Sequence, residues 1–90
     1  MAKWQERAAL LFKEEGLNRL KNSNVLVVGL GGVGSFAAEF LVRAGVGNMT
    51  IVDGDTVDIT NINRQLPALH STIGQPKVTV VANRLMDINP

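Results

Sequence analysis

Val25-Leu26-Val27-Val28-Gly29-Leu30-Gly31-Gly32-Val33-Gly34 is a short apolar run that passes into four glycines within six residues. The run reads as a strand buried on both faces, because no polar residue alternates through it. The glycines satisfy G-x-G-x-x-G at the point where that strand would hand over to a helix. The first glycine permits a tight turn, the second lets the backbone approach a ligand, and the third lets the helix lie close on the strand. From Gly32 to about Ala44 the residues Ala37, Ala38, Phe40 and Leu41 recur at helical spacing, with Arg43 and Gly45 suited to a helix C-terminus. Met49-Thr50-Ile51-Val52-Asp53 then reads as a second strand. Strand, glycine turn, helix and strand together make a βαβ unit.

Around this unit, residues 3–21 carry a helical stripe through Trp4, Ala8, Leu11 and Phe12, and Gly16 is expected to divide it into two shorter helices. The stretch from Gly54 to Gln75 is polar and irregular. A last helix is expected from about Pro76 to Ile88, with its stripe on Val78, Val81, Ala82, Leu85 and Ile88. The fold class is therefore α/β: a partial Rossmann-like nucleotide-binding unit over residues 23–90, preceded by a helical segment over residues 1–22.

Composition narrows the function. The chain has 90 residues, of which 46% are hydrophobic and 19% charged, and its net charge is +1. That length suits one small domain whose core is marginal. Cysteine is absent, so these residues offer no disulfide, thiolate metal site or cysteine nucleophile. The balanced charge gives no bulk attraction to nucleic acid or an anionic membrane. No apolar run is long enough to span a bilayer, and the N-terminus lacks the apolar core of a signal peptide. No membrane association and a cytoplasmic location are the expectations.

The helix that follows the glycines offers free N–H groups and a positive dipole end to an anion. Asp53, 24 positions after Gly29, stands where a carboxylate can accept from ribose hydroxyls. A nucleotide is the expected ligand. The loop from Asp53 to Gln65 adds what a plain nicotinamide site does not need: three aspartates, two asparagines and Arg64 within thirteen residues. Arg64 is suited to bidentate contact with phosphate, Asn61 can donate to it, and Lys77 at the start of the last helix adds a cation. This inventory matches a triphosphate better than an NAD pair.

The segments Gly29-Leu30-Gly31-Gly32-Val33-Gly34-Ser35, Gly45 to Gln65, the spacing of Gly74 to Lys77, and Asp87-Ile88-Asn89-Pro90 resemble the ThiF/MoeB/HesA superfamily of ubiquitin-activating-enzyme-like (E1-like) adenylyltransferases. Thr60-Asn61-Ile62-Asn63-Arg64-Gln65-Leu66, followed by Leu69 to Gly74, is most similar to the branch of tRNA threonylcarbamoyladenosine dehydratases. The resemblance implies an enzyme that binds ATP with Mg2+ and adenylates a carboxylate. In the dehydratase branch the carboxylate is that of threonylcarbamoyladenosine in tRNA, and cyclisation follows with loss of water. The alternative branch activates the C-terminus of a ubiquitin-like sulfur-carrier protein. A non-catalytic nucleotide-binding or dimerisation module is the rival of another class.

By the same resemblance, Gly29, Gly31, Gly32 and Gly34 approach the nucleotide and Asp53 binds its ribose. Thr60, Asn61, Asn63, Arg64 and Lys77 line the phosphates, with Arg64 and Lys77 stabilising the charge that develops as pyrophosphate leaves. The resemblance places the main Mg2+ ligand outside these residues and assigns no metal ligand among them. It implies a homodimer in which an N-terminal arginine, here Arg7, reaches the partner's ATP site, although Lys13 stands where relatives commonly carry glycine. A tRNA or a ubiquitin-like sulfur-transfer protein is the expected partner. The chain is expected to be the N-terminal part of a longer enzyme, inactive and self-associating alone. Outside the motif, Asp55 and Asp58 are candidates to assist Mg2+ or to form a solvated loop. His70 lacks a partner for general-base work, Ser35 is a candidate phosphate contact or a capping and packing residue, and Trp4 and Phe12 are packing residues.

Overall fold

The computed structural model describes residues 2–90. A 3-10 turn at Lys3–Gln5 leads into helix α1 (Glu6–Lys21), strand β1 (Asn24–Val28), helix α2 (Gly34–Ala44) and strand β2 (Asn48–Val52). Two 3-10 turns, Ile59–Asn61 and His70–Thr72, punctuate the following loop before helix α3 (Lys77–Ile88). β1 and β2 pair in parallel, Asn24 opposite Asn48 through to Val28 opposite Val52. The backbone N–H of Gly29 continues this ladder, donating to Val52 O at 2.7 Å.

Helices α2 and α3 pack on one another and on one face of this pair. Leu30, Ala38, Val42, Val81 and Leu85 form the buried core, with Val27, Met49, Ile51, Val78 and Ile88 against it. The α3 stripe read from the sequence is the one that is buried. The expectation for β1 is corrected: alternate residues of both strands are exposed, Leu26 at 63% and Val28 at 72%. Among the described residues no layer covers that second face. A run without polar residues records the hydrophobicity of both faces but not what lies against them.

Helix α1 is broken, and the break is at Lys13 and not at Gly16. Lys13 has φ 58° and ψ 176°, backbone that is nearly confined to glycine. Gly16 serves the same kink differently: a Cβ there would lie 2.9 Å from Phe12 Cβ, which folds back over it. Loss of helix propensity at Gly16 was the wrong signal; the turn is set by the close approach of Phe12.

The glycine turn behaves as its spacing predicts. Gly29 takes φ 89°, open to glycine. Gly34 begins α2 so close to β1 that a Cβ would sit 1.7 Å from Gly29 O. Among the described residues, no helix is long and apolar enough to cross a membrane.

Candidate nucleotide site

The site sits where β1 and β2 end. Asp53 follows β2 directly, and its two carboxylate oxygens are held by backbone donors: Leu30 N–H donates to Oδ2 at 2.7 Å and Asp55 N–H to Oδ1 at 2.8 Å. The Leu30 bond, followed by the Asp55 bond and the charge of Lys77, outweighs burial and holds the Asp53 carboxyl below its ordinary value. Asp53 is thus ionised and clamps the glycine turn to the loop after β2, with lone pairs left for a further donor.

Beyond Leu30, the N–H groups of Gly31, Gly32, Val33 and Gly34 donate to no acceptor among the described residues. Four consecutive free donors at the head of an eleven-residue helix form a cradle for an anion. Ser35 is fully buried beside them, its hydroxyl donating to Gly31 O at 2.5 Å and accepting from Leu66 N–H at 3.4 Å. It braces the turn from behind, as the packing reading holds.

The loop after β2 is irregular, as its sequence reads, but is tied back on itself by backbone hydrogen bonds. Val57 N–H donates to Gln75 O and Gly74 N–H to Val57 O, both at 2.8 Å, and Lys77 N–H donates to Asp55 O at 3.0 Å. This folding back brings Lys77 to the site, largely buried at 6% exposure, where its charge acts on Asp53 and Asp58. Sequence alone shows Lys77 only as a cation at a helix start.

Asp58 is a cap. Thr60 N–H donates to Asp58 Oδ2 at 2.9 Å and Asp58 N–H donates to Asn61 Oδ1 at 2.9 Å, a reciprocal box around the 3-10 turn. The Thr60 hydroxyl also donates to Asp58 Oδ2, at 2.5 Å, and these donors hold the Asp58 carboxyl below its ordinary value. Thr60 therefore spends its hydroxyl locally. Buried Asn61 keeps its Nδ2 donors free. Arg64 Nη1 donates to Thr60 O at 3.1 Å and to Asn63 Oδ1 at 3.0 Å. The guanidinium thus lies against its own loop while the Arg64 stem borders the glycines, its Cγ 3.9 Å from where a Gly32 Cβ would stand.

Gln65, the residue after Arg64, carries no role in the sequence reading. Its side chain is buried against Gly31, and its Oε1 has no hydrogen-bond partner. His70 is exposed and pairs with no carboxylate. Among the described residues no cluster of three or more His, Asp and Glu side chains is placed to hold a metal ion. A free donor cradle, an ionised Asp53 and a nearby Arg and Lys fit a nucleotide; they do not by themselves fit Mg2+. A cleft of about 590 Å3 lies at the opposite strand ends between Trp4, Leu17, Lys21 and Asn48.

A profile of the ThiF family matches residues 5–90. The chain belongs to the ThiF family. It is 62% identical over 84 residues to a tRNA threonylcarbamoyladenosine dehydratase of Bacillus subtilis, an alignment that covers 93% of this chain and 33% of that protein. It is 48% identical over 79 residues to the molybdopterin-synthase adenylyltransferase of Escherichia coli, covering 88% of this chain and 32% of that protein. Among solved structures, E. coli tRNA N6-threonylcarbamoyladenosine dehydratase in complex with ATP superposes with a TM-score of 0.92 at 43% identity. That match covers 100% of this chain and 38% of the other. The chain spans about a third of the length of the curated relatives it matches. The Rossmann-like class read from the glycine turn is the fold of this ThiF-family chain.

Proposed function

We propose that this ThiF-family chain carries the ATP-binding part of an enzyme that adenylates a carboxylate. The observation that supports it most directly is the row of four free N–H groups, Gly31 to Gly34, beside ionised Asp53 and buried Lys77. The triphosphate lies along the cradle and the Asp53 carboxylate accepts from the ribose. Gly29 and Gly34 shape the turn, and Gly31 and Gly32 present their N–H groups. Arg64 turns from Thr60 and Asn63 to the phosphates, joined by Asn61 and Lys77. As the substrate carboxylate attacks the α-phosphorus and pyrophosphate leaves, these fixed donors and cations stabilise the negative charge that develops. Mg2+ would further screen that charge, with its main ligand outside these residues.

The acceptor carboxylate is proposed to be threonylcarbamoyladenosine in tRNA, with closure of the ring and net loss of water. Dehydratases at 62%, 46% and 44% identity, together with the superposition on an ATP-bound dehydratase at a TM-score of 0.92, support this substrate. A homodimer is proposed as well, on the exposed Leu10, Leu11, Phe36 and Phe40, with Arg7 reaching toward the partner's site. A cytoplasmic location accords with a tRNA substrate.

The experiment is incubation of the full-length protein with ATP and either threonylcarbamoylated tRNA or a sulfur-carrier protein. Loss of one water from the tRNA supports the proposal. Pyrophosphate release with the carrier alone moves the protein to the other branch, and release with neither favours a non-catalytic module.

A further inference from the structure

We propose that Gln65 is a positioning residue of this site: its buried amide oxygen accepts an N–H of the glycine turn only when a phosphate occupies the cradle. The inference rests on the nucleotide reading above. Gln65 is 9% exposed, and its Oε1 is fully buried without a partner. Its backbone is fixed, with Gln65 N–H donating to Asn61 O at 2.9 Å and Ala68 N–H donating to Gln65 O at 3.1 Å. The amide lies against the turn with its nitrogen foremost, Nε2 standing 3.7 Å from the position of a Gly31 Cβ, so rotation about the Cγ–Cδ bond is what brings Oε1 to the turn.

An acceptor buried without a donor destabilises the state that contains it. The donors around Gln65 are nearly all committed: Leu30 N–H to Asp53, the Ser35 hydroxyl to Gly31 O, and Leu66 N–H to Ser35. Besides the Asn61 amide, the uncommitted ones among the described residues are the N–H groups of Gly31, Gly32, Val33 and Gly34. A phosphate draws most of these outward. One that turns inward to Oε1 locks the turn against the Arg64 segment, so the same residue that frustrates the empty site closes the filled one.

The test uses the full-length protein with ATP as the probe. Gln65→Met keeps the shape and removes the acceptor; Gln65→Leu is a second apolar variant should Met repack. The expected result is a melting temperature without nucleotide equal to or above wild type, with ATP bound at least tenfold more weakly. The ATP-induced protection of residues 31–34 from hydrogen exchange should fall in the same variants. A structural role alone would lower the melting temperature, and that outcome overturns the proposal, as does wild-type ATP affinity in both variants. Arg64→Ala separates the two readings. If it weakens ATP while Gln65→Met does not, the site stands and the Gln65 assignment falls; if wild type binds no ATP, both fall.

Discussion

The backbone N–H of Leu30 donates to Asp53 Oδ2 at 2.7 Å, across 23 residues of sequence, and so ties the glycine turn to the end of β2. One carboxylate thereby shapes the cradle and faces it. Asp53→Asn leaves one neutral amide oxygen for two backbone donors and sets an NH2 against the other, and should destabilise the protein by about 1–2 kcal/mol at neutral pH. The pH dependence has a definite sign. The folded carboxyl titrates below its ordinary value of 3.8, so its contribution is fully present above that pH and is lost as the pH falls through the folded value. Chemical denaturation of wild type and Asp53→Asn should give curves that differ at pH 7 and converge below pH 3.8. A constant gap would deny the clamp.

Gly34 is a steric requirement. With Gly29 O only 1.7 Å from the place of its Cβ, Gly34→Ala has to push α2 away from β1. A loss of about 3 kcal/mol or more is expected, enough to unfold a marginal domain. Circular dichroism melts of the variant check this directly.

Lys13 offers the opposite change. Its φ of 58° with ψ of 176° strains any side chain, and Lys13→Gly should relieve about 1 kcal/mol or more, outweighing the added freedom of the unfolded chain. A higher melting temperature is the expected reading; a lower one would mean that the kink is not occupied in solution.

The sequence exposed this unit unevenly, for physical reasons. Strand, turn, α2 and the stripe of α3 are local patterns, since a 3.6-residue period and a glycine turn are both written in neighbouring residues. The break in α1 shows only through the resemblance, which puts glycine where Lys13 stands; a lysine by itself carries no sign of a positive φ. The folding back of residues 54–76 is not local either, since the Val57–Gln75 and Val57–Gly74 bonds join segments nearly twenty residues apart. Asp58 looked like a magnesium ligand or a wet surface charge until the Thr60 and Asn61 contacts showed a cap. Gln65 could not be singled out at all: whether a glutamine is buried and lacks a partner is decided by what packs over it.

Glu39 holds α2 to α3. Buried in α2, it accepts from Arg84 of α3 and from Arg43 Nε at 3.3 Å, and the Arg84 hydrogen bond keeps its carboxyl below the ordinary 4.5. Both arginines are about half exposed, so solvent screens the pair and Glu39→Gln should cost only about 1 kcal/mol. The stabilisation is present above pH 4.5 and lost below it as the folded carboxyl protonates. The double variant Glu39→Gln with Arg84→Met should lose less than the sum of the single losses.

We propose that the N–H groups of Gly31, Gly32, Val33 and Gly34, with Asp53, Arg64 and Lys77, take a triphosphate. Calorimetric titration of the full-length protein with ATP and with NAD tests it most directly. ATP should bind more tightly, and Arg64→Ala should weaken ATP by about 1.5–3 kcal/mol, the loss of one charged contact. NAD affinity equal to or above that of ATP would contradict the account.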